Sequence, residues 1–210
     1  MVYIRLTDPL NVVQNRVNEA LAKLINKKLT TKKSMIVRTL KKNVNEWTAT
    51  SPEILSLQKA GMINELPAQF GIRGGNTDDV VDAIVTSIAE STVINIQNIT
   101  PSLRGRIEFS FQPSNFANLL GLAQGHVITQ EGTDLHWMNW LLKRGDEVII
   151  TGYDYTPSRK GRSGGGTMEK GTVFRVDPRY SGTESNNFVT RLFSNREEEI
   201  KKLIIEVFNG

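Results

Sequence analysis

Cysteine is absent from this chain and only two histidines, His126 and His136, occur in 210 residues. The first absence excludes disulfides, thiolate metal sites and cysteine nucleophiles, and the second leaves little material for imidazole chemistry. No run of eighteen apolar residues is present. The opening Met1-Val-Tyr-Ile-Arg-Leu-Thr-Asp8 lacks the charged start and long apolar block of a secretory signal. A soluble, cytoplasmically made protein with no membrane contact is therefore expected. Enough hydrophobic residues are present, 39%, to build a proper core.

Charge is modest in sum at +4 and uneven along the chain. Residues 1–42 carry net +8, whereas residues 43–100 carry net −5. Opposed basic and acidic faces favour head-to-tail association of copies, or pairing with a partner of opposite polarity. Two solvated helix surfaces would give the same pattern.

Hydrophobic periodicity divides the chain near residue 92. Asp8 and Pro9 open a helix whose Leu10, Val13, Val17, Leu21, Leu24 and Ile25 recur every three or four residues to about Lys28. A second helix places Ile36, Leu40, Val44 and Trp47 inward. Thr50-Ser-Pro-Glu53 starts a third helix that ends near Gly61. A loop over residues 71–76 leads to a fourth, with Val81, Ile84, Val85 and Ile88 facing inward. Alternation of period two then sets in at Val93 and again over Arg106–Phe111, reading as an antiparallel pair.

A short turn of helix is expected from Ser114, a strand at residues 126–129 and a helix from Thr133 or Asp134 to Leu142. Glu147 to Tyr155 reads as a strand that pairs with Phe174-Arg-Val176 across a glycine arm, and Asn186–Phe193 and Glu197–Phe208 as closing helices. The fold class is α+β. One small, mostly antiparallel sheet packs against long N-terminal and C-terminal helices, with a helical N-terminal lobe (1–92), a sheet-bearing remainder (93–210) and an extended Gly-rich hairpin loop (156–171).

Candidate chemistry is sparse. Ser158-Arg-Lys-Gly-Arg-Ser-Gly-Gly-Gly166 invites a phosphate-loop reading, but Thr167-Met168 stands where Lys-Ser or Lys-Thr is required. A mobile basic arm explains it better. Asp134 and His136 are two apart on the expected helix and do not face each other, and His126 lies ten residues upstream. Asp78, Asp79 and Asp82 suit a helix N-terminus. No catalytic, cofactor-binding or metal-binding residue is assigned. Trp137 and Trp140 share a helix side, as core or as interface anchors. Lys23, Lys27, Lys28, Lys32 and Lys33 form a basic segment suited to phosphates or an acidic partner, which keeps nonspecific nucleic-acid binding open as an alternative.

Four segments carry a resemblance: Gln112-Pro-Ser-Asn-Phe116, Asp134 to Gly145, Gly161-Arg-Ser-Gly-Gly-Gly166 with Phe174-Arg-Val176, and Tyr180 to Arg191. Together they resemble virion structural proteins of tailed bacteriophages, cyanophages especially, and the order of elements resembles the head-tail joining or tail-completion (neck) class. The resemblance implies a non-enzymatic virion protein, monomeric alone, that closes into a ring of copies between portal or adaptor and tail tube or terminator, with nonspecific contact to passing DNA. It implies a docking arm at Arg159, Lys160, Gly161, Arg162, Gly164, Gly165 and Gly166. It also implies a clasp at Arg175, Tyr180, Asn187, Phe188 and Arg191 that anchors the arm's base against the final helix. A tail terminator, baseplate or vertex piece would share these features.

Overall fold

The computed structural model describes residues 7–113, 115–128, 132–145 and 147–210. In chain order the elements are α1 (Leu10–Ala49), α2 (Pro52–Leu57), α3 (Leu66–Phe70), α4 (Thr77–Glu90), β1 (Val93–Gln97), β2 (Arg106–Ser110), α5 (Ala117–Leu120), β3 (Val127–Ile128), β4 (Asp134–Leu135), α6 (Met138–Leu142), β5 (Ile150–Pro157), β6 (Gly166–Phe174), α7 (Phe188–Phe193) and α8 (Glu197–Asn209). Long terminal helices and short antiparallel strands make this an α+β protein, as the sequence indicates. Among the described residues the strands form three separate two-stranded ladders, β1–β2, β3–β4 and β5–β6, in place of the one sheet expected.

Two compact units are present: residues 1–40, 92–110 and 198–210 form the first, and residues 41–91 and 111–197 the second. Both draw on each side of residue 92.

The expected break near Lys28 does not occur, and α1 runs unbroken for 40 residues. Nothing between Lys28 and Met35 is Gly or Pro, and the two threonines are accommodated by back-bonding. The Thr30 hydroxyl donates to the Asn26 carbonyl at 2.9 Å, and that of Thr31 to the Lys27 carbonyl at 3.0 Å. Continuity fixes the phase of the helix. Ile36, Leu40, Val44 and Trp47 are buried as expected, and their row extends back through Leu29 and Ala22. At about 100° per residue, Leu10, Val17, Leu21 and Leu24 then fall about 120° away from that row. They are exposed, at 80%, 51%, 41% and 64%.

In the first unit, β1 and β2 pair in the register Val93↔Ser110 to Gln97↔Arg106, with Ile94 buried and the alternate side chains wet. Asn26 of α1 clamps the connection after β1 by accepting from the Ile99 amide at 2.7 Å and donating to its carbonyl at 2.9 Å. Ile25 and Leu29 of α1, Ile107 of β2 and Ile204 and Phe208 of α8 line an apolar cleft of about 390 Å³. The Lys28 ammonium lies over the Phe208 ring, 4.8 Å from its centre. On α8, Lys201 pairs with Glu198 three residues back.

In the second unit Ser51 caps α2 and Pro52 occupies its first turn, but α2 stops at Leu57, before Gly61. Helix α3 has no counterpart in the sequence reading. In α4, Val81, Ile84 and Ile88 face inward and Val85 is half-buried. Asp134-Leu135 is strand, so α6 begins only at Met138. The turn expected at Ser114 and the strand end at Thr129 fall outside the described residues, and α5 starts at Ala117. Strands β5 and β6 form a longer ladder than expected, from Ile150↔Phe174 to Pro157↔Gly166, with a bulge at Gly152. Ladder pairing consumes half of the expected arm and leaves residues 158–165 as its tip.

Candidate functional site

The tip of the β5–β6 hairpin is folded inward. The Gly166 amide donates to the Lys160 carbonyl at 3.1 Å, and the Gly164 amide to that of Gly161 at 3.2 Å. Ser163, Gly165 and Gly166 are buried. The tract packs on the turn between α2 and α3: a Cβ on Gly165 would lie 2.5 Å from the Met62 carbonyl and 2.7 Å from the Ala68 methyl. Only glycine admits that approach. Tyr155 of β5 pins it, with its hydroxyl donating to the Gly165 carbonyl at 2.7 Å and accepting from the Asn64 amide at 3.0 Å. Arg162 reaches away and donates to the Ile128 carbonyl at 2.8 Å. Arg159 and Lys160 are exposed. The docking arm of the sequence reading is thus a packed tract with three exposed cations, of which Arg162 is tied to Ile128.

The clasp is a buried polar knot. Asn187, fully buried, donates to the carbonyls of Leu142 and Thr183 at 3.0 and 2.8 Å and caps α7 by accepting from the Thr190 amide at 3.0 Å. Phe188 is buried beside it and Arg175 is exposed. Arg191 leaves α7 to meet Glu53 of α2 at 2.5 Å, and Glu53 is only 2% exposed. Tyr180, also buried, donates to Glu65 at 3.2 Å. Burial pushes the Glu65 carboxyl up, but hydrogen bonds from Ser56, Lys59 and Tyr180 outweigh it and hold the group below its usual range. These contacts run to α2, α6 and the turn before α3, whereas the sequence reading places them against the final helix. Sequence distance hides the Arg191–Glu53 pair, whose members are 138 residues apart.

Trp137 is fully buried, donates to the Gln124 carbonyl at 3.0 Å and tilts against Phe70 with ring centres 5.4 Å apart. Trp140 is 7% exposed, with the Arg144 guanidinium 5.3 Å from its ring centre. Both are core residues of the second unit and offer no ring to a partner.

The histidines do come together. Because Val127 pairs with Leu135, residues 126 and 136 are the next cross-strand position, and their rings stack with centres 4.0 Å apart. His126 Nδ1 lies 2.9 Å from Asp134. The His136 Nε2 atom is buried with no partner. Burial, then the neighbouring His126 and Arg144, push the His136 pKa below its ordinary value against the opposing pull of Asp134. Reading residues 133–142 as helix conceals this arrangement; a hairpin reading of the same residues exposes it. Among the described residues no group of three or more His, Asp or Glu is placed to hold a metal ion. No described helix is long and apolar enough to cross a membrane.

Lys23, Lys27, Lys28 and Lys33 are exposed on α1 and Lys32 is half-buried. Arg16, Lys23 and Lys27 flank the exposed row Leu10, Val17, Leu21 and Leu24 on one side, and Lys28 stands at its end. The sequence shows this apolar row as a stripe but not that Leu10, Val17, Leu21 and Leu24 face solvent. Comparison with protein-family models, curated proteins and solved structures finds no match to the chain.

Proposed function

We propose that the chain is a non-enzymatic structural component of a tailed-phage particle, of the neck or tail-completion type. The observation that carries the reading is the exposed row Leu10, Val17, Leu21 and Leu24 on α1. Four large apolar side chains on one helix face gain most from a partner that removes them from water, at roughly 1.5–3 kcal/mol for each one fully buried. The resemblance of residues 110–192 to virion proteins supplies the class of partner. Within that segment the glycine tract and clasp are packed into the second unit, so the basic surface at the tip is the exposed set Arg159, Lys160 and Arg162. An ordered platform suits ring assembly because little entropy is lost on docking.

Quantitative peptide mass spectrometry of purified virions, referenced to the major capsid protein, tests the reading. About six or twelve copies per particle are expected of a closed ring. Absence from particles overturns it, and hundreds of copies move the protein to the shell or tail tube.

A further inference from the structure

We infer that the basic-edged apolar row of α1 docks onto the exposed face of α4 in a second copy of this chain, making a head-to-tail contact. The inference rests on the assembly reading above for its biological setting and on surface chemistry for its content. Self-pairing of the row is disfavoured. In a two-helix seam centred on Leu10, Val17 and Leu24, the flanking positions bring Lys23 of one copy against Lys28 of the other, placing like charges in contact, while Arg16 is already paired with Asp8 at 2.7 Å. The row requires an acidic receiver.

Helix α4 provides one. Its inward face holds Val81, Ile84 and Ile88, while Asp79, Asp82 and Thr86 face outward beside Leu122, bordering an open depression of about 540 Å³. Asp78 extends the acidic edge, and half-buried Ala83 and Leu122 give the floor apolar character. Lengths agree as well. Leu10 to Leu24 spans about 21 Å at 1.5 Å per residue, and the 14 residues of α4 span about the same. Lys23 and Lys27, one turn apart, match Asp79 and Asp82, also about one turn apart.

The two surfaces are different patches, so the contact is heterologous and each copy retains a free row and a free depression. Four apolar side chains and two ion pairs fall short of the roughly 1,200–2,000 Å² of a stable pair. A dissociation constant of about 0.1 mM is expected, which leaves the chain monomeric when dilute and lets ring closure stabilise the assembly.

The test uses the full chain and sedimentation equilibrium up to about 1 mM in about 50 mM salt. Two blocked variants are made: Leu24→Glu with Lys23→Glu, which disables the row, and Asp79→Lys with Asp82→Lys, which disables the depression. All four positions are on the solvent face, and circular dichroism checks that each variant keeps its helix content. Each variant alone should associate at least tenfold more weakly than the parent, and an equimolar mixture should form a heterodimer that grows no further. Carbodiimide should cross-link Lys23 or Lys27 to Asp79 or Asp82 between copies of the parent. No association of the parent at about 1 mM, undiminished association of the depression variant, or dimers of that variant alone would each overturn the inference. The last two results would point to another occupant or to a symmetric contact. Because the assay needs no virion, its failure is separate from absence of the protein from particles.

Discussion

Replacing Arg191 by methionine keeps the aliphatic stem and removes the cationic partner of a carboxylate that is 2% exposed. Breaking a fully buried ion pair costs about 3–5 kcal/mol, because the remaining charge is left unpaired. Here the Arg191 side chain is 41% exposed, so water already screens part of the attraction. Glu53 also sits in the first turn of α2, where its charge is favourable. A loss of about 2–3 kcal/mol is therefore expected, which for a chain of this size lowers Tm by about 5–10 °C. Glu53→Gln in the same background removes the stranded charge and should recover at least half of the loss. Thermal melts followed by circular dichroism, run as a double-mutant cycle at about 0.1 M salt, read both effects. A shift below about 2 °C for Arg191→Met, or no recovery in the double variant, would refute the claim that this pair ties α7 to α2.

Tyr155→Phe removes the hydroxyl that joins Gly165 to Asn64. Loss of about 1–2 kcal/mol of local stability should make trypsin cleavage at Arg159, Lys160 or Arg162 about 5–30 times faster, and an unchanged rate would mean the tract is held by other contacts. The His136 pKa is lowered in the fold, so as pH falls through its unfolded value of about 6.5 the unfolded chain binds more protons than the native one and stability falls. Urea midpoints between about pH 7.5 and 5 should show this decline, and His136→Phe, which preserves the ring stack, should flatten it. Gly182→Ala drives a Cβ into the Leu141 carbonyl and against Asn187; a loss above about 3 kcal/mol or failure to fold is expected from the overlap. If α1 also touches DNA, affinity for random duplex should fall steeply between about 50 and 200 mM salt, and a flat response would exclude that role.

Elements stabilised by their own side-chain pattern are legible in the sequence. The antiparallel pairing of β1 and β2 follows from strict alternation at Ile94, Ile96, Ile107 and Phe109, α7 from its cap, and α4 and α8 from apolar spacing. Errors arise where local signals conflict with long-range ones. The apolar stripe that ends near Lys28 reads as the end of a helix, whereas Thr30 and Thr31 continue it by back-bonding. The glycines of residues 161–171 read as an unstructured arm because glycine weakens a strand; here Gly165 is required by the close approach of Met62 and Ala68. The stripe on α1 is visible in the sequence, but its direction is not. Whether the spacing of Leu10, Val17 and Leu24 faces a core depends on the phase of the continuous helix, which is set further along by Leu29, Ile36 and Leu40.

All three tryptophans, Trp47, Trp137 and Trp140, belong to the second unit and none is more than 7% exposed. Intrinsic fluorescence of this protein is consequently a private reporter: its emission stems wholly from one unit and is shifted to the blue by burial. The first unit, which contains the exposed row of α1, the β1–β2 ladder and almost all of α8, is optically dark above about 295 nm excitation. An emission trace that stays flat while other probes change would thus mark melting of the dark unit.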